Sequence, residues 1–219
     1  MTTKKSLFIS AGILFWSLTL IFTLLPSWPH IYYRLSPQTS TVLASTIAST
    51  ASQAQETIKK PSPTPPTLTP TPTQIPRPAL PEVDPSLPKE NGLIIDKIGV
   101  RGEIHEGEDW QQILRQGIWR VPNFDIPTTN DQPIILAAHR WGYLEWSPSF
   151  RKLNSFYSLP QLKEGDTIKI IWEQRPFEYR VYLTETGTNI TDYNADLILY
   201  TCQLWNSPVR FFVYTTRTN

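Results

Sequence analysis

Three side chains of this sequence could together perform acyl transfer: His139, Cys202 and Arg210. A thiol becomes a useful nucleophile when a nearby cation or base raises its thiolate fraction. An imidazole can supply that push and then protonate a leaving amine. An arginine keeps its proton, so it makes a poor base but a good clamp for a developing oxyanion. Cys202 is the sole cysteine, so the chain has no internal disulfide. Each residue also has an inert reading: a lone thiol as a buried small hydrophobe, a strand-end histidine as a structural group, an arginine as a solvated charge.

The elements that must position them are short β-runs. Residues 133–138 are almost wholly apolar and read as a buried strand ending at His139. Residues 197–201 form a strand with Cys202 at its end, and 211–215 a closing strand just after Arg210. Residues 166–173 and 177–184 alternate apolar and polar, the period of a hairpin. Leu93, Ile94, Ile95 and Ile98 suggest an opening strand, and 110–114 a short helix. Phe150, Leu153 and Phe156 recur at three-residue spacing, a second short helix. Seven or so short strands with few helices point to a small β-barrel or sandwich.

Composition confines this domain to the C-terminal part. Of 21 prolines, 14 precede residue 90, and 6 of the 8 tryptophans follow it. Residues 91–219 carry 13 Lys and Arg against 15 Asp and Glu, a net −2, with no basic run interleaved with aromatics. Nucleic acid is therefore not an expected partner. Lys4 and Lys5 precede a charge-free apolar run over 6–25. Twenty residues at about 1.5 Å each span a hydrocarbon layer of about 30 Å. The run is longer than a secretory signal's apolar region, and Trp28, Tyr32 and Tyr33 would sit at the far interface. The expected order is a cytoplasmic N-terminus (1–5), a signal anchor (6–25), a disordered Ser/Thr/Pro-rich stalk (26–90) and a globular domain (91–219). That order puts the domain outside the plasma membrane on a single-pass anchor. Prolines recur every few residues over 61–88, which favours extended polyproline II.

The local words around the three residues resemble those of sortases. Leu136-Ala137-Ala138-His139-Arg140 resembles the family's Ala-Gly-His-Arg strand end. Residues 197–202, reading Leu-Ile-Leu-Tyr-Thr-Cys, resemble its Leu-x-Thr-Cys strand, with Arg210 eight residues on. Asp96-Lys97-Ile98-Gly99-Val100 looks like the opening strand, and Gly165-Asp166 like the Gly-Asp turn. The resemblance covers roughly residues 91–216. It implies a closed, mostly β barrel of seven to eight strands with one or two short helices. It also implies a cysteine transpeptidase: Cys202 attacks a Thr–Gly bond in a sorting motif, His139 moves the proton, and Arg210 stabilises the oxyanion. Thr201 and Trp205 are expected to line the substrate groove. The implied partners are surface or pilin proteins and an amine from a wall precursor or pilin lysine. No metal is needed; some sortases use calcium, for which no ligands can be placed here.

Two departures from the family pattern stand out. Ala138 replaces a glycine, which requires ordinary negative φ there. The stretch between Thr184 and Leu197 is short for the connection that shapes the groove. Trp141, Tyr143 and Trp146 could cover the site, bind a partner or pack locally. Papain-like peptidases place cysteine before histidine, whereas His139 comes first here, and L,D-transpeptidases carry a His-Gly-Cys-type motif that Tyr200-Thr201-Cys202-Gln203 does not match. A non-catalytic β-module displayed on a stalk is the rival from a different class.

Overall fold

A computed structural model describes residues 12–21, 39–59, 79–129, 131–204 and 207–219. Eight strands close into a barrel: β1 (Gly92–Ile95), β2 (Val100–His105), β3 (Ile118–Arg120), β4 (Ile134–Ala137), β5 (Thr167–Trp172), β6 (Arg175–Gly187), β7 (Leu197–Cys202) and β8 (Arg210–Arg217). Around the barrel they run β1-β2-β3-β4-β7-β8-β6-β5, back to β1. Most pairs are antiparallel; β2–β3 and β4–β7 are parallel. The expected barrel is therefore present, and the alternative of a sandwich is excluded.

Period-2 alternation decides which side chains fill the interior. Leu136 and Ala138 from β4 and its end, Leu197 and Leu199 from β7, and Phe211 and Val213 from β8 all belong to one buried core. Residues of opposite parity on the same strands face outward, His139, Cys202 and Arg210 among them. The β5–β6 hairpin turns at Glu173 and Gln174, both at positive φ (50° and 57°), the primed turn that matches strand twist. The chain before β1 braces this turn: Gln174 Nε2 donates to the Leu87 carbonyl at 2.9 Å, and Arg175 donates to the Pro81 carbonyl.

Two short helices match the expected ones. The first, α2 (Trp110–Gln116), is N-capped by Asp109, and α3 (Pro148–Asn154) by Ser147 with proline in its first turn. A third element corrects the stalk. The segment expected to be disordered over 26–90 contains a 21-residue helix, α1 (Thr39–Lys59). Alanine favours helix, and Leu43, Ala44, Ile47, Ala48, Ala51 and Ala54 make a buried stripe at helical spacing. Ser45 and Thr50 turn their hydroxyls back onto the helix's own carbonyls.

Of the span expected at 6–25, residues 12–21 are helical and exposed. The rest of that span lies outside the described residues. Among the described residues no helix is long and apolar enough to cross a membrane.

Candidate active site

Strand register assembles the three candidate residues. Cys202 and Arg210 are direct cross-strand partners at the last pair of β7 and β8, where Cα atoms lie about 4.5–5.5 Å apart. Gln203 N–H donates to the Val209 carbonyl at 2.9 Å and closes the loop between them. In the parallel pair β4–β7, Ala137 faces Tyr200, so two further steps bring His139 level with Cys202. The Thr201 hydroxyl donates to the Ala138 carbonyl at 2.8 Å and carries that register past the end of β4. His139, Cys202 and Arg210 thus share one outward face on three adjacent strands.

Thr201 itself has a different place from the one expected. Its parity is opposite to that of Cys202, so it points inward, fully buried. It is a strut between the strands that end at His139 and Cys202. Trp205 lies outside the described residues. Ala138 is not among the residues at positive φ, so its Cβ is accommodated without backbone strain.

The aromatic loop after His139 walls the imidazole. Tyr143 meets its ring edge-on at 4.7 Å and Trp146 at 6.4 Å. Arg151 of α3 pins this loop through the carbonyls of Trp141 and Tyr143, both at 2.7 Å. Gly142, at φ 74°, is required here: a Cβ would lie 2.2 Å from the Trp146 ring. Arg115 of α2 lies over the Tyr143 ring at 4.6 Å and ion-pairs with Glu145 at 2.6 Å. The loop therefore packs locally and encloses the His139 ring.

What the sequence did not indicate is that α1 closes the site. Cys202, His139 and Arg210 are each only 1% exposed. The Tyr200 hydroxyl, on their face of β7, donates to the Ile47 carbonyl of α1 at 2.9 Å. Thr46 is a hydrogen-bond partner of the Cys202 thiol. Ile198, Tyr200, Phe212 and Tyr214 point away from the barrel core and are buried all the same. Beside α1 a cleft of about 430 Å³ remains, walled by Thr50, Gln53 and Ala54 of the helix and by Asn189, Ile190 and Tyr193 of the β6–β7 connection. The only sequence signal for α1 was the spacing of Leu43, Ile47, Ala51 and Ala54, diluted by Ser and Thr.

Burial sets the protonation of the covered pair. It pushes the Cys202 thiol up, against the opposing pull of Arg210, Thr46 and Arg140. It pushes His139 down to about 3, with the charge of Arg115 acting in the same direction. Both groups are thus neutral beneath α1 at physiological pH. A consequence for stability follows from linkage. An unfolded chain protonates this imidazole below about 6.5, whereas the folded one resists until about 3. Between those values the unfolded state binds more protons, so stability falls as pH drops through the window. Urea midpoints measured from pH 7 to 3 should fall less steeply for His139→Gln than for the wild type.

Buried polar atoms in proteins are normally paired. Among the described residues six buried side-chain atoms are not, and four of them belong to residues at the ends of β4, β7 and β8 or just beyond: His139 Nε2, Arg140 Nε, Gln203 Oε1 and Arg210 Nε. Arg210 spends only Nη1 on the protein, donating to the carbonyls of Ser207 (2.9 Å) and Val209 (3.2 Å). An unspent guanidinium donor on the cross-strand partner of a thiol is a group an oxyanion can use. No group of three or more His, Cys, Asp or Glu able to hold a metal occurs among the described residues.

Comparison with known proteins identifies the family. The family model for the sortase domain matches residues 93–218. Among solved structures, a lid mutant of sortase A from Corynebacterium diphtheriae is similar, with a TM-score of 0.50 and 20% identity over 60% of this chain and 71% of that one. Sortase C-1 from Actinomyces oris gives 0.49 and 19% over 61% and 76%. A pilus-related sortase C of Group B Streptococcus gives 0.49 and 22% over 60% and 68%. Among curated proteins, no sequence matches the chain. Barrel, site order and family model converge: the chain belongs to the sortase family of cysteine transpeptidases.

Proposed function

We propose that this sortase cleaves a sorting-motif peptide bond of the Thr–Gly type in a surface or pilin protein and transfers the acyl group to an amine. The observation that carries the reading is the set of unspent polar atoms on His139, Arg140, Gln203 and Arg210. A display module would have no reason to bury them unpaired, which weighs against the non-catalytic alternative. In the proposed sequence, the Cys202 thiol gives its proton to His139 as its sulfur attacks the threonine carbonyl carbon, and Arg210 Nε–H faces the oxyanion. His139 gives a proton to the departing amine, leaving a thioester on Cys202. An incoming amine then attacks the thioester, and His139 takes its proton and passes it to the departing Cys202 thiolate, which restores thiol and imidazole. The acceptor would be a wall-precursor amine or a pilin lysine. Cysteine, histidine and arginine suffice for these steps without a metal.

Access to the thiol requires α1 to leave its seat. In the covered state thiol and imidazole are both neutral; undocking would hydrate them and bring their proton affinities together, as proton transfer demands. The groove so exposed would lie between β7 and the β6–β7 connection, along the cleft already open beside α1. An anchor over residues 6–25, led by Lys4 and Lys5, would hold the domain on the outer face of the plasma membrane. The prolines between α1 and residue 79 would act as a spacer.

The test is to mix the full chain with quenched Thr–Gly peptides and a panel of amines, then examine Cys202 by mass spectrometry. An acyl adduct that amines discharge to a new amide is expected. A peptide library with no cleavage and no adduct, against a thiol that small alkylating reagents still reach, would remove the reading.

A further inference from the structure

Two of the unpaired atoms have no role in the steps above, Arg140 Nε and Gln203 Oε1. They belong to residues already joined. Arg140 follows the base, and its Nη1 donates to the backbone carbonyl of Gln203, the residue after the nucleophile. The guanidinium lies over the Trp141 ring at 5.1 Å, which fixes its plane. Gln203 is held in turn by its own N–H on Val209. The result is one unspent donor and one unspent acceptor, both shielded from water, on the residues that follow His139 and Cys202 in the chain.

An isolated anion would satisfy Arg140 and leave Gln203 Oε1 wanting a donor. An amine would do the reverse. An extended peptide main chain offers both, a C=O and an N–H at regular spacing. We propose that Arg140 and Gln203 bind the substrate's main chain beside the scissile bond, Arg140 Nε–H donating to a substrate carbonyl and Gln203 Oε1 accepting from a substrate N–H. This rests on the peptide-cleaving reading and extends it. Affinity for the motif then comes partly from contacts blind to side chains, while the cleft by the β6–β7 connection remains for specificity.

Variants of the full chain and of the substrate backbone test this together. Arg140→Lys keeps the charge and can keep the bond to the Gln203 carbonyl, but lacks the second donor. Its KM for a cleaved peptide should rise about tenfold, the worth of a charged hydrogen bond, with the melting temperature little changed. Gln203→Leu should raise KM severalfold. A scan of depsipeptides, each with one amide N–H replaced by an ester oxygen, should find one position that weakens binding to the wild type but costs nothing more in Gln203→Leu. If Arg140→Lys leaves KM unchanged while Arg140→Met lowers activity, Arg140 is a charge or loop brace and the inference is overturned. Equal depsipeptide penalties in wild type and Gln203→Leu at every position would overturn it as well. Absence of any cleavage by the wild type is a separate result: it would remove the peptide reading itself, and this inference with it.

Discussion

Replacing Leu43 and Ile47 together by aspartate should make Cys202 react with iodoacetamide at least a hundredfold faster. Both side chains are almost fully buried, and each contributes about 1.5–3 kcal/mol when taken from water. Losing both weakens docking of α1 by about 3–6 kcal/mol, and a carboxylate in that seat costs more still. Each 1.4 kcal/mol is tenfold in the docking equilibrium. Because the thiol is 1% exposed in the covered state, reagent enters only through the open fraction. Peptide cleavage, where opening limits it, should rise in parallel. The exposed Val42 is the control: Val42→Asp should leave labelling within about twofold of the wild type, as surface changes usually do. Labelling unchanged in the double variant would show that α1 does not gate the thiol.

The other large effect is loss of turnover. Cys202→Ala removes the only thiol in the chain and should reduce acyl transfer to background, with no adduct at any peptide concentration. His139→Ala should lower kcat by about 10²–10⁴, the usual worth of a positioned proton carrier. Its fold should survive, because the imidazole lies outside the barrel core and its Nε2 makes no bond that would be lost. Circular dichroism beside the kinetic assay separates lost chemistry from lost structure. A His139→Ala enzyme that keeps more than a tenth of wild-type kcat would reassign the proton to another group.

The parts of this design legible in the sequence were those written in short, strongly periodic words. The apolar run before His139 and the alternating runs over 166–184 announced their strands, and β4, β5 and β6 lie where they were expected. Three-residue β3 was too brief to carry a period, and it exists because β2 and β4 flank it. Thr201 was misread for a geometric reason: adjacency to the nucleophile in sequence places a strand residue on the opposite face. The helix over the site was hidden by composition. Its contact surface is mainly alanine, which carries little hydrophobic signal yet lets a helix lie close against a sheet. Burial of Tyr200 and Phe212 on an outer strand face was the complementary clue, invisible until strand parity was known.

Chain order gives α1 one more property, in the timing of biogenesis. α1 precedes every residue of the site, while Arg210 and the strand that pairs with Cys202 come last among the elements. Chains emerge N-terminus first and fold as their parts become available. The nucleophile is therefore completed only after its cover has been made. The newly folded molecule can close directly onto itself, with no interval in which the Cys202 thiol stands open. An enzyme whose cover lay after β8 would pass through that interval every time it was made.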